Sequence, residues 1–87
     1  MPTDLKTQFE AAIADSKKMS QRPGNDALLK LYSFYKQASE GDAPGDPPSN
    51  PFDFAAKVKY EAWAALKGKS REEAMREYVE LVNHLKS

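Results

Sequence analysis

Apolar residues recur at intervals of three and four along most of the chain, which is the spacing of one face of an α-helix. Breaks that contain glycine or proline separate four such segments, at about residues 3–18, 25–40, 53–68 and 70–86. No alternating run of β-branched residues indicates a strand. The pattern therefore predicts an all-α fold of four helices, each of roughly 14 to 17 residues.

The ends of these segments carry residues that commonly cap helices, because short polar side chains accept hydrogen bonds from free backbone amides. The candidate N-terminal caps are Thr3 or Asp4, Asn25 or Asp26, Asp53, and Ser70 in an S-x-x-E capping box with Glu73. Gly41 and Gly68 follow the second and third segments, where glycine favours a left-handed end. The caps and the periodicity thus predict the same four helices.

The connection between the second and third helices is the longest, spanning residues 41–53 and containing four of the six prolines. The two other links are short and favour antiparallel neighbours, whereas this one is long enough to return the chain along a helix. We therefore expect residues 1–87 to form one domain, a four-helix up-down-down-up bundle with a long proline-rich connection between helices two and three. The sequence leaves the simple up-down bundle open.

Composition excludes several classes of function. Thirteen basic and thirteen acidic residues cancel, so we expect no nucleic-acid partner. The absence of cysteine rules out a disulfide scaffold, and the single His84, expected in the solvated last turn of helix four, cannot form a metal cluster alone. The first residues contain no long apolar run, so we expect neither a signal peptide nor an integral membrane segment, and a cytoplasmic location.

Candidate catalytic residues are few. Glu72 and Glu73 are adjacent on a helix and point in different directions, which suits the dipole of a first turn better than acid–base catalysis. There is no glycine-rich phosphate loop after a strand, and His84 is the only histidine available as a base. We therefore expect a binding protein and not an enzyme.

Helix two carries more apolar surface than one interface needs. One face combines apolar, phenolic and cationic side chains: Leu28, Tyr32, Tyr35, Lys36 and Ser39. Tyrosine rings can stack on a planar base while hydroxyl and ammonium groups meet phosphate, so this face suits a nucleotide. Tyrosines at a bundle edge also commonly bury the ring and leave the hydroxyl in water. Lys17, Lys59 and Tyr78, each beside an apolar face of its own helix, favour the binding interpretation.

Two stretches, LLKLYSFYKQASEGD and KVKYEAWAALKGKSREEAMREYVELV, closely resemble the acyl-CoA-binding protein family. The hallmark runs of that family are L-Y-x-x-Y-K-Q-A-x-x-G-D and K-x-K-[aromatic]-x-A-W-x-x-x-x-G-x-[ST]-x-x-x-A-x-x-x-Y, and the match extends from Phe9 to Leu85. The resemblance implies non-covalent binding of medium- to long-chain acyl-CoA thioesters without cofactor or catalysis, and a carrier and pool-forming role in lipid metabolism. We expect a monomer, because the bundle and the ligand account for each apolar stripe.

The resemblance also implies roles for individual residues. Tyr32, Lys36 and Lys59 would hold the ribose 3′-phosphate, and Tyr35 would lie against the adenine. The remaining members of the predicted ligand-binding set are Tyr78 at the head group, Lys17 beside the nucleotide, Ala12, Ile13, Leu28 and Leu29 along the acyl groove, and Ser33. Arg22 corresponds to a basic position at the rim. The alternative is a small helical protein-interaction module whose aromatic face grips a partner helix.

The sequence departs from the family pattern in the long connection and in helix three. The connection is richer in proline and one residue longer than is usual in the family. Ala55 stands where relatives often have lysine, and Tyr60 replaces a frequent tryptophan. These changes affect the expected loop conformation and chain-length preference, and leave the predicted phosphate-binding residues in place.

Overall fold

The computed structural model describes residues 4–19, 23–47, 49–50 and 52–86, and within them it contains four α-helices and no strand. The helices are α1 (Leu5–Lys17), α2 (Asn25–Glu40), α3 (Phe54–Ala64) and α4 (Arg71–Lys86). The predicted all-α class is therefore confirmed. α3 is shorter than predicted, because the chain continues from its end in turns as far as Gly68, whose φ of 91° is in the left-handed region.

Side-chain caps begin three of the helices. Asp4 and Asp53 each accept a hydrogen bond from the amide three residues later, at 2.7 Å and 3.0 Å. Ser70 Oγ accepts in the same way from the amide of Glu73, at 3.1 Å. These three predicted caps are confirmed, whereas the alternative cap Thr3 lies outside the described residues.

The predicted cap of α2 is wrong. Asn25 and Asp26 both lie inside the helix, and Gly24, with extended backbone angles, is the N-cap. Glycine has no side chain to accept from the free amides, so the start of α2 has no side-chain cap. Asp26 instead contributes negative charge to the first turn, where it complements the helix dipole.

The core lies where α4 packs against α1 and α2. Its buried members are Phe9, Ala12, Leu31, Ala38, Ala74, Tyr78 and Val82. The ring of Phe9 meets the ring of Tyr78 edge to face, with centroids 5.1 Å apart. This contact joins α1 to the middle of α4.

Polar contacts fasten the C-terminal end of α2 to the chain on both sides of α3. Gln37 is fully buried, and its Nε2 donates to Asp42 Oδ1 and to the Lys69 carbonyl, each at 2.8 Å. Trp63 Nε1 donates to the Gly41 carbonyl at 2.8 Å, which places the C-terminal ends of α2 and α3 together. A parallel course of α2 and α3 is compatible with this contact, and the full up-down-down-up order stays a prediction.

The N-terminal half of α3 is largely exposed. Phe54 and Val58, which belong to the apolar stripe of this helix, are 68% and 47% exposed. Among the described residues α3 packs only against α2, so no second helix covers this part of its apolar face. Within the same residues, no helix combines the length and apolarity that crossing a membrane requires.

Candidate functional site

Two clefts meet at Tyr32 on α2. The first, here the phenol cleft, has a volume of about 320 Å³ and is lined by Ile13, Lys17, Leu28, Tyr32, Tyr35 and Tyr78. The second, the front cleft, has a volume of about 590 Å³ and is lined by Leu28, Leu29, Tyr32, Phe54, Val58 and Lys59. Because Leu28 and Tyr32 belong to both walls, the two clefts adjoin.

The phenol cleft has fixed aromatic walls. Tyr78 is buried, and its hydroxyl lies 3.1 Å from Ser16 Oγ. Ser16 donates its own proton to the carbonyl of Ile13 at 2.7 Å, so the Tyr78 hydroxyl is the donor in the contact with Ser16. Tyr35 is 42% exposed, and its ring stacks on Phe9 with centroids 6.1 Å apart and planes at 24°. A flat ligand ring can therefore meet a tyrosine that is already supported from behind.

Two lysines of the predicted set contact aromatic rings. Lys59 Nζ lies 5.4 Å from the centroid of the Tyr32 ring, at the edge of the front cleft. Lys36 Nζ lies 5.0 Å from the centroid of the Trp63 ring and forms an ion pair with Glu40, one turn later on α2. The hydrogen bond to Glu40 raises the pKa of Lys36 above its ordinary value.

The structure does not bring the whole predicted set to these two clefts. Ala12 is buried in the core, because its face of α1 packs against α4. Ser33 follows Tyr32 and lies about 100° further round α2, where it is buried and donates to the Lys30 carbonyl at 3.0 Å. Lys36 lines neither cleft and is held by Glu40 and Trp63. Arg22 lies outside the described residues.

Sequence reasoning missed part of the front cleft. Phe54, Ala55 and Val58 form its α3 wall. Their helical spacing was visible in the sequence, but spacing alone does not distinguish an apolar face that packs on another helix from one that lines an open cleft. Pro23 and Ser16 were likewise not predicted at the phenol cleft, which they help to line.

A third cleft, the rear cleft, lies between α2, α3 and α4 and has a volume of about 760 Å³. Its apolar lining consists of Leu29, Phe34, Ala62, Leu66 and Leu81. Its polar lining consists of Asp26, Lys30, Ser33, Glu77, Glu80 and His84. It is larger than the front cleft and contains only two residues of the predicted set, Leu29 and Ser33.

The clefts offer aromatic, apolar and cationic groups. In the part of the chain that the structure describes, no three acidic or histidine side chains are grouped so as to hold a metal ion. The phenol cleft can take a planar aromatic group, Lys17 and Lys59 can meet anionic groups, and the front cleft can take hydrocarbon. This combination suits one ligand that is planar and charged at one end and apolar at the other.

Comparison with known proteins agrees with this chemistry. The model of the family described as "Acyl CoA binding protein" matches residues 6–82. The acyl-CoA-binding protein of Dictyostelium discoideum is 44% identical over 79 residues, which cover 91% of this chain and 93% of that protein. The crystal structure of Oryza sativa acyl-CoA-binding protein 2 superposes with a TM-score of 0.87 at 35% identity, covering 94% of this chain and 90% of that one.

A longer protein also contains a similar region. The enoyl-CoA delta isomerase 2 of Rattus norvegicus is 43% identical over 79 residues, which cover 91% of this chain and 20% of that protein. The similarity therefore concerns one fifth of the rat protein. The remaining four fifths of the rat protein have no counterpart in this chain.

Proposed function

The chain belongs to the acyl-CoA-binding protein family, and we propose that residues 1–87 form a single domain that binds acyl-CoA thioesters non-covalently. In this proposal the phenol cleft takes the nucleotide and the front cleft takes the acyl chain. The position of Tyr32 in the walls of both clefts is the observation that carries the proposal. A ligand that spans the two clefts must pass this residue, with its charged end on one side and its apolar end on the other.

The proposed head-group contacts follow from the positions of the phenols and ammonium groups. Tyr32 and Lys59 hold the ribose 3′-phosphate, and the proximity of Lys59 to the Tyr32 ring supports their acting together. Lys36 also contacts this phosphate, once its ion pair with Glu40 has been replaced by an ion pair with the phosphate. Tyr35 stacks on the adenine, while Tyr78 and Lys17 bound the nucleotide on the side of α1 and α4.

The acyl chain supplies the larger share of the affinity. Each methylene that leaves water contributes ~0.8 kcal/mol, and a chain in the front cleft also covers the exposed rings and methyl groups of Phe54 and Val58. Charged contacts near the surface contribute less and determine which head group binds. We therefore propose a preference for long chains over short ones.

In this proposal the protein is a cytoplasmic monomer that carries acyl-CoA and maintains a bound pool, without converting it. The bundle and the ligand together account for each apolar stripe of the chain, which supports a monomer. The name of the rat relative refers to an isomerase, but this chain matches only a fifth of that protein. Incubation of palmitoyl-CoA with the protein should leave the thioester intact, as measured by chromatography.

Calorimetry with three ligands tests the proposal. Palmitoyl-CoA should bind far more tightly than either CoA or free palmitate, because only the thioester fills both clefts. Equal and weak heats from all three ligands would contradict the proposal. Adenosine 3′,5′-bisphosphate should compete with palmitoyl-CoA, whereas a module that only grips a partner helix has no reason to respond to a 3′-phosphate.

Two lysines of α3 provide a matched pair of variants. Lys59 lines the front cleft and Lys57 does not, although both are exposed and lie in the same helix. Lys59→Ala should weaken palmitoyl-CoA binding about 10-fold, since a hydrogen bond to a charged group is worth roughly 1.5 kcal/mol. Lys57→Ala should bind like the parent protein, and circular dichroism should show the same helicity for both. Equal binding by the two variants would remove Lys59 from the site.

A further inference from the structure

The front and rear clefts meet at the N-terminal part of α2. Asp26 and Leu29 line both of them. Trp63 joins the C-terminal end of α3 to the end of α2, whereas the first turns of α3 expose Phe54 and Val58. The two helices are thus fastened at one end, and at the other end the two clefts adjoin at Leu29, with Asp26 beside it.

We propose that the rear cleft receives the terminal methylenes of acyl chains that are too long for the front cleft, and that these chains pass over Leu29. This inference rests on the proposed acyl-CoA-binding function. It adds a second hydrocarbon subsite to that function. It makes the lining of the rear cleft the determinant of the upper chain length.

The lining of the rear cleft selects this occupant. Apolar side chains from three helices form one part of it, so hydrocarbon can be buried there: Leu29, Phe34, Ala62, Leu66 and Leu81. Its acidic groups are Asp26, Glu77 and Glu80, of which Glu77 pairs with Lys69, and its basic groups are Lys30 and His84. With Glu77 paired, two acidic groups face two basic ones, so the rear cleft has no basic excess with which to bind the anionic head group of a separate fatty acid or phospholipid. The uncharged end of a chain whose head group lies in the phenol cleft needs no charged partner there.

The proposal makes a quantitative prediction for chain length. Each methylene that moves from water to apolar surroundings raises the binding constant by up to about 4-fold. A chain that ended in the front cleft would gain no further affinity once that cleft was full. With the rear cleft available, the affinity should continue to rise from palmitoyl-CoA to arachidoyl-CoA.

Ala62 and Ala65 offer a matched pair of alanines. Ala62 is half-buried and lines the rear cleft, whereas Ala65 is exposed just after α3 and lines neither cleft. Ala62→Trp fills the rear cleft and Ala65→Trp adds the same side chain to the surface. Leu66→Ser is a second test, which makes the lining of the rear cleft more polar without adding bulk.

The experiment measures the binding constants of lauroyl-, palmitoyl-, arachidoyl- and lignoceroyl-CoA for the parent and each variant, with circular dichroism to verify folding. Ala62→Trp should bind lauroyl-CoA within about 2-fold of the parent and lose at least about 10-fold for arachidoyl-CoA, as 10-fold corresponds to fewer than two methylenes. Leu66→Ser should lose affinity in the same direction, and Ala65→Trp should match the parent at every length.

Two results would overturn the inference while leaving the proposed function intact. In one, the affinity of the parent stops rising beyond palmitoyl-CoA, so the tail remains in water. In the other, Ala62→Trp changes binding equally at all lengths or not at all. Failure of the parent to bind any of the four thioesters would instead refute the proposed function itself.

Discussion

The ion pair between Lys36 and Glu40 holds a lysine of the proposed phosphate site against another residue of the same helix. A phosphate that binds Lys36 must compete with the Glu40 carboxylate. Glu40→Gln removes the negative charge and keeps the size of the side chain. We therefore expect this variant to bind palmitoyl-CoA more tightly than the parent.

The magnitude follows from the exposure of the pair. The Lys36 and Glu40 side chains are 24% and 52% exposed, and such pairs one helical turn apart are worth about 0.3 to 0.5 kcal/mol. Release of that interaction alone raises affinity about 2-fold. Loss of the repulsion between carboxylate and phosphate adds to it, so we expect an increase of about 2- to 5-fold. The pKa of Lys36 falls back towards its ordinary value in the variant, which still leaves the ammonium charged at neutral pH.

Calorimetry with palmitoyl-CoA and with its 3′-dephospho analogue is the assay. The gain in Glu40→Gln should appear with palmitoyl-CoA, be smaller with the analogue, and shrink at high salt because exposed charges are screened. Glu10→Gln is the control, since Glu10 is exposed on α1 and lines neither cleft. In a Lys36→Met background, replacement of Glu40 should lose the part of the gain that depends on Lys36.

Two results would refute this reasoning. Weaker binding by Glu40→Gln would mean that the carboxylate positions Lys36 for the ligand and does not compete with it. An equal gain with palmitoyl-CoA and with the dephospho analogue would mean that Lys36 does not meet the 3′-phosphate.

Two further predictions concern stability. Hydrogen bonds, first from the Gly68 amide and then from Gln37, hold the pKa of Asp42 below its ordinary value. Asp42 therefore stabilises the fold above its ordinary pKa, and this contribution is lost as the pH falls through the lowered pKa. Asp42→Asn should lower the melting temperature at pH 7 and flatten its decline below about pH 4, and an unchanged decline measured by circular dichroism would contradict this. Val82→Ala should lower the free energy of unfolding, measured in urea, by about 2 kcal/mol because Val82 is fully buried. Val58→Ala should change it by less than about 1 kcal/mol and yet weaken palmitoyl-CoA binding. The reverse order of stabilities would contradict the assigned burial.

Local features of the chain were predictable because they depend on neighbouring residues. Asp4, Asp53 and Ser70 cap helices through amides three residues later, so the sequence contains both partners. The cap of α2 could not be chosen in this way, since Asn25, Asp26 and the preceding glycine all suit a helix start.

The contacts that fasten the helices together were not predictable from spacing. Gln37 is a polar residue in the middle of a motif, and nothing local indicates that its amide is buried between Asp42 and the Lys69 carbonyl. The contact between Trp63 and the Gly41 carbonyl likewise joins residues far apart in sequence. The family motif predicted Tyr32 and Lys59 as residues of the site, and the structure places them beside each other. The motif could not show that Lys36 forms an ion pair with Glu40 in this chain.

One property of α3 accounts both for its exposed apolar residues and for the front cleft. Among the described residues α3 packs on α2 alone, and its polar ties lie towards its C-terminal half, where Trp63 bonds to Gly41 and Tyr60 bonds to the Pro44 carbonyl. Its apolar face therefore has no second helix to cover it, and Phe54 and Val58 remain exposed. The apolar stripe of α3 therefore forms one wall of an open cleft, and in the proposed function the acyl chain would cover the residues that the fold leaves exposed. On this reasoning, acyl-CoA should protect the amides of α3 from hydrogen exchange more than those of α1.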